Sequence, residues 1–331
     1  MKKFTNNIDQ IVEEMIQGMV MANPETLSRV PEFQVITRKN LNKDKVAIIS
    51  GGGSGHEPAH AGFVGTGMLD AAVLGPVFTS PAADQVLAAI KAVDSSKGVL
   101  LVIKNYTGDV LNFEMAKEFA AAENIEVETV IVNDDIALED SLYTTGKRGI
   151  AGTILVHKIA GAAAELGKDL KEVKCLAQKA IDNLGSYGIG LDACIVPANG
   201  VKGFEIPENE MEVGLGIHGE PGVNREPIKS ADEVIEMLYK EIEKHLNLSQ
   251  GDEVAIMING LGATPLMELN ILARKALMIM DEKQITVNKT FVGNYMTAID
   301  MPGFSLSILK LDDELKTLLN EPVITNGMVV I

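Results

Sequence analysis

The sequence predicts an α/β fold of two α/β domains, an N-terminal one with a mostly parallel sheet and flanking helices and a C-terminal one with a mixed sheet. The continuous apolar run Gly98–Ile103 is typical of a strand buried on both faces of a parallel sheet. Strand-like and helix-like segments alternate along the first half, the order that right-handed βαβ crossovers produce. The length of 331 residues favours about two domains.

The first half combines helical segments, whose apolar residues recur every three or four positions, with short apolar runs that predict strands. Ser80 followed by Pro81 is typical of a helix N-cap and first helical residue. In chain order, the predicted elements are a helix over Ile11–Met21, a strand over Val46–Ser50, a helix over Pro81–Val93, a strand over Gly98–Ile103, a helix over Phe113–Ala122 and a strand over Val127–Val132.

Two long helical segments, Thr153–Leu166 and Leu170–Asn183, end at the glycine-punctuated break Gly185–Gly188. We place the domain boundary there, which divides the chain into residues 1–184 and 185–331. The second half has more antiparallel character. Its predicted strands are Gly188–Val196, Glu212–Ile217, Glu253–Ile258, Ile285–Val292 and Phe304–Leu311, and its predicted helices are Ala231–His245 and Pro265–Met280.

The net charge of −17 argues against nucleic-acid and anionic-membrane partners, because an acidic surface repels phosphate groups. No segment reaches the roughly 18 apolar residues of a membrane span, and the N-terminus lacks the apolar core of a signal peptide. Cys175 and Cys194 lie in apolar-periodic segments, which predicts buried thiols in a reducing compartment. The expected location is the cytoplasm.

A glycine-rich run, Gly51–Gly55, follows the first predicted strand and leads into His56. Glycines let a backbone approach a ligand closely, and open α/β sheets bind ligands where their strands end. The run fails the dinucleotide fingerprint because His56 stands where its third glycine belongs, and the chain has no Walker A motif. A small polar ligand is therefore favoured, with a purely structural turn as the alternative.

His56 and His60 match the H-E-x-x-H pattern of zinc hydrolases. That pattern needs a helix, whereas Pro58 and the preceding glycines oppose one. The next histidine, His157, is far from the spacing of a third ligand. We therefore predict no metal site and a structural His60, and keep a zinc hydrolase as a minor alternative.

Two further polar loops follow predicted strands. Lys104 and Asp109 flank one loop, where the aspartate can accept a hydroxyl proton and the lysine can donate hydrogen bonds to a substrate. His218 lies in the other, between glycines, where imidazole can act as a base or nucleophile. The plainer alternative for each residue is a solvated surface side chain. Thr264 and Pro265 predict a capped turn at the start of a helix.

Several long motifs together resemble one family, the K subunit of dihydroxyacetone kinase. They occur in the order of that family and cover essentially the whole chain. The motifs are Gly51–Pro58, Phe78–Pro81, Lys104–Asp109 with Asn112–Glu114, Ser141–Tyr143, Gly216–Gly222 and Asn259–Pro265. The resemblance implies a homodimer of two-domain chains.

The resemblance also implies roles for individual residues. His218 matches the histidine that holds dihydroxyacetone covalently as a hemiaminal, Asp109 the base that takes the proton of the attacking hydroxyl, and His56 a second catalytic histidine that hydrogen-bonds the substrate. The substrate-binding positions that follow from it are Gly53, Ser54, Gly55, Ser80 and Lys104.

The phosphoryl donor is expected on another polypeptide. Single-chain ATP-dependent members of the family carry a helical nucleotide-binding domain after this portion, whereas this sequence stops at Ile331. The resemblance implies an L subunit that holds ADP or ATP with magnesium and is rephosphorylated by a phosphotransferase-system protein, with phosphoenolpyruvate as the source. This chain is thus expected to bind no cofactor itself.

The main alternative to the kinase subunit is a dihydroxyacetone-binding receptor that co-activates a transcription factor. Such a protein needs the capturing histidine but not the catalytic groups. The presence of both His56 and Asp109 favours the enzyme.

Overall fold

The computed structural model describes residues 2–138, 146–218, 220 and 222–331. The motif at residues 141–143, and positions 219 and 221 of the His218 loop, lie outside the described residues. The helices are α1 (Ile11–Ala22), α2 (Ala83–Val93), α3 (Thr107–Ala122), α4 (Thr153–Glu165), α5 (Leu170–Asp182), α6 (Ala231–Leu246), α7 (Leu266–Glu282) and α8 (Asp313–Asn320). The strands are β1 (Leu27–Arg29), β2 (Val35–Arg38), β3 (Ala47–Ser54), β4 (Ala71–Val77), β5 (Val99–Lys104), β6 (Val127–Val132), β7 (Leu184–Gly190), β8 (Glu210–Val213), β9 (Asn224–Pro227), β10 (Glu253–Gly260), β11 (Thr286–Gly293), β12 (Gly303–Leu311), β13 (Val323–Ile324) and β14 (Val329–Val330).

The N-terminal sheet has the order β1-β2-β4-β3-β5-β6. Strands β4, β3, β5 and β6 run parallel, and β1 and β2 add an antiparallel edge, which confirms the predicted mostly parallel sheet. Alternate residues of β5 face opposite sides. Leu101 and Ile103 pack with α2 and α3, whereas Leu100 and Val102 pack with α4 and α5, so the sheet is covered on both faces.

The C-terminal sheet has the order β11-β10-β12-β7-β8-β9. Only β10 and β11 pair in parallel among these neighbours, which confirms the predicted mixed sheet. Its first strand begins at Leu184, beside the proposed domain boundary, and the division into two domains stays a prediction. Ile256 and Ile258 pack with α6 and α7, while Met257 faces the N-terminal half.

Helix α4 lies between the two sheets. Every residue from Thr153 to Ala164 is buried, including the polar side chains of His157 and Lys158. Most of the other residues are apolar on every face, as expected for a core helix. Ile154 and Ile159 belong to one apolar cluster with Leu100 of the first sheet and Met257 of the second. The helix therefore joins the two halves into one core. No helix among the described residues combines the length and apolarity needed to cross a bilayer.

The glycine run is part of a strand, which corrects the predicted loop. Gly51, Gly52 and Gly53 pair in parallel with residues 73–75 of β4, and β3 continues to Ser54. Short-range patterns cannot reveal this, because the neighbouring strand provides the hydrogen bonds that hold the glycines extended.

Two predicted helix caps also lie elsewhere. Helix α2 begins at Ala83 after Ala82, so Ser80 does not cap it, and α7 begins after Pro265 rather than after Thr264. The Thr264 hydroxyl instead donates to the Gly303 carbonyl at 2.6 Å. Tertiary hydrogen bonding thus displaces the local capping preference.

Two further expectations are wrong. The predicted strand Gly188–Val196 is replaced by β7, which begins at Leu184, because the glycine-punctuated break pairs with β12. Cys175 is exposed, whereas Cys194 is buried as expected. The buried face of α5 includes Val173 and Ala177, which leaves Cys175 on the opposite face.

Gly161 allows α4 to pack directly on another backbone segment. A Cβ atom at this position would lie 2.4 Å from both the Gly67 carbonyl oxygen and the Met68 Cα atom. We expect Gly161→Ala to lower the free energy of unfolding by about 1–3 kcal/mol in urea titrations, because two backbones must separate. Alanine's intrinsic helix preference of about 1 kcal/mol works against this loss.

Gly18 in α1 provides the matched control, because a Cβ atom there would meet nothing within 4 Å. Gly18→Ala should raise the free energy of unfolding by about 0.5–1 kcal/mol. If both substitutions stabilise the protein equally, α4 does not make the close approach described above.

Candidate active site

A cavity of about 450 Å³ lies at the carboxyl ends of β3, β4 and β5, with His218 of the C-terminal half in its wall. Adjacent parallel strands deliver their following residues to one edge of a sheet, which is where open α/β sheets bind ligands. The lining residues are Gly53, Phe78, Thr79, Ser80, Tyr106, Gly108, Asp109, Asn112 and His218. Four predicted site residues are in this wall: Gly53, Ser80, Asp109 and His218.

Lys104 lies behind the wall rather than in it. Its side chain is fully buried at the end of β5, and its Nζ atom donates to Asp109 Oδ2 at 3.2 Å and to the Gly51 carbonyl at 3.4 Å. A Cβ atom at Gly52 would lie 2.3 Å from Nζ, so this approach requires glycine. Lys104 holds the Asp109 carboxylate in place from the protein side.

Ser54 and Gly55 shape the turn that leads to His56. The Ser54 hydroxyl donates to the Gly75 carbonyl at 2.7 Å, and the Gly55 N–H donates to the Glu57 carboxylate at 3.0 and 3.1 Å. Neither residue is among those that line the cavity. Their polar groups are therefore satisfied within the protein, and a direct contact with substrate stays a prediction.

His56 is fully buried directly behind His218. Its Nδ1 atom is 2.7 Å from the Thr297 carbonyl oxygen, and its Nε2 atom is 3.1 Å from His218 Nε2. The ring of Phe78 stacks on it with centroids 5.0 Å apart. Burial lowers the pKa of His56 well below its usual value, and the charges of His218 and Lys104 lower it further, so His56 is neutral near neutral pH.

The hydrogen bonds of His56 define its proton positions. A carbonyl oxygen can only accept, so the proton of the neutral ring is on Nδ1, which faces Thr297. His56 Nε2 is then an acceptor, and the hydrogen bond between the rings is donated by His218 Nε2–H. His56 is therefore placed to remove the proton from the nitrogen that faces it.

Aromatic rings surround the His218 side chain, which is 18% exposed. The rings of Tyr106 and Phe78 lie edge-on to it, with centroids 4.5 and 5.4 Å away. These contacts fix the orientation of the His218 imidazole ring in the cavity wall. Nothing in the local sequence marks either aromatic residue as a site residue, although both lie within the family motifs.

A buried ion-pair chain supports His218 from the other side. Glu220 accepts a hydrogen bond from the His218 backbone N–H at 2.8 Å, and its Oε1 is 3.9 Å from His218 Nδ1. Arg148, fully buried, lies 3.5 Å from Glu220 and 2.6 Å from Asp135. Burial alone would raise the pKa of Glu220. The hydrogen bond and charge of His218, together with the charge of Arg148, instead lower this pKa to about 2, so Glu220 is a carboxylate.

The sequence alone does not reveal this chain of charges. Arg148 and Asp135 are distant from the motif that contains His218, and nothing local marks them as its support. Glu220 lies two residues after His218 within the motif Gly216–Gly222, and an acidic side chain beside a glycine-flanked histidine is the sequence signal that points to it.

The H-E-x-x-H histidines point to different partners. His56 Nε2 faces His218, whereas His60 Nδ1 lies 3.0 Å from His157 Nε2 and 3.3 Å from the Ser50 hydroxyl. Within the described ranges, no group of three or more histidine, cysteine, aspartate or glutamate side chains is arranged to hold a metal ion. The two histidines thus do not converge on a common ligand position.

The sequence matches the Dak1 domain family over residues 17–327. It is 52% identical, over 95% of both chains, to the dihydroxyacetone-binding subunit DhaK of PTS-dependent dihydroxyacetone kinase 1 from Listeria innocua. The structure of the C. freundii dihydroxyacetone kinase in complex with AMP-PNP and Mg²⁺ has a TM-score of 0.92 and 39% identity, and the match covers 99% of this chain but 61% of that one. A dihydroxyacetone kinase operon co-activator has a TM-score of 0.89 and 36% identity, with 95% and 97% coverage.

The buried histidines beneath the site make stability sensitive to acid. Burial, with a smaller contribution from the charge of Lys104, lowers the pKa of His157 from 6.5 to about 3, and His60 is shifted in the same direction. Below pH 6.5 the unfolded chain therefore binds protons that the folded chain does not. The free energy of unfolding should fall as the pH drops below 6.5, with a slope that approaches about 1.4 kcal/mol per pH unit for each such histidine once the unfolded histidine is fully protonated.

We expect His157→Gln to reduce this pH dependence by about 1 kcal/mol per unit between pH 6.5 and 5, measured by urea unfolding at several pH values. Glutamine retains a polar group near His60 but does not titrate. His245→Gln, at an exposed histidine, serves as the control and should change the slope much less. An unchanged slope in His157→Gln would mean that His157 is charged in the folded protein.

Proposed function

This chain belongs to the Dak1 domain family, and on that basis we propose that it is the dihydroxyacetone-binding subunit of a dihydroxyacetone kinase. Family membership confirms the resemblance found in the motifs, and the named relatives are kinase subunits. The observation that carries the proposal is the arrangement of His218 and Asp109 in one cavity wall, with His56 hydrogen-bonded directly behind His218.

Covalent capture suits so small a substrate. Dihydroxyacetone has six heavy atoms, and a ceiling of about 1.5 kcal/mol per atom limits its non-covalent binding to roughly 9 kcal/mol. A bond from an imidazole nitrogen to the ketone carbon adds affinity. It also selects for a carbonyl compound, because glycerol has no carbonyl group to attack.

We assign the capture step to His218, His56 and Glu220. In the tautomer that donates to His56, the His218 Nε2 proton passes to His56 Nε2, 3.1 Å away, which frees an electron pair on His218 Nε2. That lone pair forms the bond to the carbonyl carbon, the π electrons move to the oxygen, and His56 returns the proton to that oxygen. Because burial disfavours its charged form, His56 releases the proton readily. Positive charge that develops on the His218 ring as the bond forms faces the Glu220 carboxylate.

Asp109 then acts on a terminal hydroxyl of the captured substrate. Its carboxylate takes the hydroxyl proton, the oxygen forms a bond to the incoming phosphorus, and the phosphoanhydride bond of the donor breaks. Lys104 restrains the carboxylate through its hydrogen bond to Asp109 Oδ2. Gly108 and Asp109 belong to the first turn of α3, where a helix N-terminus favours a nearby anionic phosphoryl group.

We place the donor nucleotide and its Mg²⁺ on a partner L subunit. Magnesium in such sites is usually held by one or two carboxylates together with the phosphates, and Asp109 is the one carboxylate among the described residues that line the cavity. It is already paired with Lys104. A phosphotransferase-system protein, with phosphoenolpyruvate as the source, then recharges that subunit. The homodimer and the cytoplasmic location expected from the sequence stay predictions.

The similarity to an operon co-activator supports a second candidate function. A ligand-sensing co-activator would use His218 for capture without transferring a phosphoryl group. The buried Lys104–Asp109 pair favours the enzyme, because it orients a carboxylate into the cavity for a proton transfer that sensing does not need.

His218→Ala and Asp109→Asn should separate capture from transfer. We expect His218→Ala to abolish the covalent adduct, detected by mass spectrometry after reduction, and to weaken dihydroxyacetone binding in calorimetry by at least about tenfold. Asp109→Asn should retain the adduct but lower turnover by about 10²–10⁴-fold, the usual contribution of a general base. If His218→Ala binds dihydroxyacetone as tightly as the parent, the covalent mechanism is wrong.

A reconstituted assay tests the function as a whole. The chain is mixed with an L subunit of a phosphotransferase-dependent dihydroxyacetone kinase, its phosphoryl-donor protein, phosphoenolpyruvate and dihydroxyacetone, and dihydroxyacetone phosphate is followed. We expect product that depends on this chain and not on its Asp109→Asn variant. Substrate binding without product would instead favour the co-activator.

A further inference from the structure

Helix α3 is apolar on two opposite faces. Phe113, Ala116 and Ala120 are buried against the N-terminal sheet. On the outer side, Leu111, Met115 and Phe119 are 60%, 39% and 45% exposed. They follow one another at intervals of four residues and so form one continuous row, which we call the α3 stripe.

The packing of the described residues does not account for the α3 stripe. A surface helix normally turns charged and polar side chains outward, and contiguous exposed apolar side chains mark interaction sites. Single exposed apolar residues are ordinary, but a row of leucine, methionine and phenylalanine along three turns is a patch.

The α3 stripe begins beside the active-site cavity. Gly108, Asp109 and Asn112 of the same helix line the cavity, and Leu111 lies between them in the chain. From Asp109 to Phe119 the helix rises about 15 Å. A protein seated on the stripe would therefore border the opening through which a phosphoryl donor must reach Asp109.

We propose that the α3 stripe is the docking surface for the nucleotide-bearing subunit, an inference that rests on the proposed function. The donor must approach a carboxylate in the first turn of α3, and the stripe gives it an apolar contact on that same helix. The row is flanked by Glu114 and Glu118, and the whole chain carries a charge of −17. The complementary surface is thus an apolar patch bordered by basic side chains.

A second copy of this chain fits the stripe less well. Two stripes facing each other would bring Glu114 and Glu118 of one copy close to the same residues of the other. Juxtaposed like charges disfavour an interface, whereas a partner with basic side chains gains from them.

The test compares two double variants at exposed apolar helix positions. The double variant Met115→Gln with Phe119→Gln removes two of the three apolar side chains of the stripe. Glutamine is a good helix former, and both positions lie outside the cavity lining. Leu277→Gln with Met278→Gln on α7 is the matched control, because these residues are 38% and 51% exposed. Calorimetry with a purified, ADP-loaded L subunit measures complex formation, and dihydroxyacetone binding and thermal unfolding are measured for each variant alone.

We expect the α3 variant to bind the L subunit at least about tenfold more weakly than the parent, with dihydroxyacetone binding and the melting temperature unchanged. The α7 variant should bind like the parent. Equal affinity of the α3 variant and the parent would overturn the docking surface while leaving the proposed function intact. A loss of homodimer mass in the α3 variant alone, by light scattering, would assign the stripe to a second copy and overturn the proposal. A parent that forms no complex with the L subunit would contradict the proposed function itself.

Discussion

The site depends on one contact between the two halves of the chain, the 3.1 Å approach of the His56 and His218 Nε2 atoms. In the proposed capture step each ring needs the other, because the hydrogen bond to His56 places the His218 proton on Nε2. Backbone hydrogen bonds hold the halves in this register: the Thr297 N–H donates to the His56 carbonyl at 3.1 Å, and the Ile299 N–H donates to the Gly55 carbonyl at 2.8 Å. The buried helix α4 joins the two sheets behind them.

The groups around the cavity are organised by buried ion pairs. Burying a charge pair costs desolvation free energy that its attraction only partly returns, so such pairs contribute more to geometry than to stability. Lys104 with Asp109 and Arg148 with Glu220 each place a carboxylate at one fixed point. The first carboxylate faces the substrate hydroxyl in the proposed mechanism, and the second faces the ring that becomes positively charged.

Helix α3 links the two events that the proposed reaction requires. Its first turn carries Asp109 into the cavity, and its outer face carries the stripe proposed to receive the donor subunit. Because both are on one rigid helix, seating a partner on the stripe defines its position relative to the base. Positioning of this kind supplies much of the rate in phosphoryl transfer, where the protein forms no covalent bond to phosphorus.

The sequence by itself determined the features that depend on short-range patterns. Apolar runs such as Gly98–Ile103 identified the parallel sheet, and the motifs around His56, Asp109 and His218 identified the family and the candidate residues. These signals are readable because strand and helix periodicity, and the residues of a motif, lie close together in the chain.

Only the tertiary structure decided which of these residues meet and what supports them. His56 and His218 are 162 positions apart, and neither side chain shows locally that the other is its partner. The glycines of β3 became a strand because β4 lies beside them, and Arg148 became the support of Glu220 because the chain folds it into the core. Contacts between distant segments depend on packing and on the desolvation of whole surfaces, quantities that no local pattern contains.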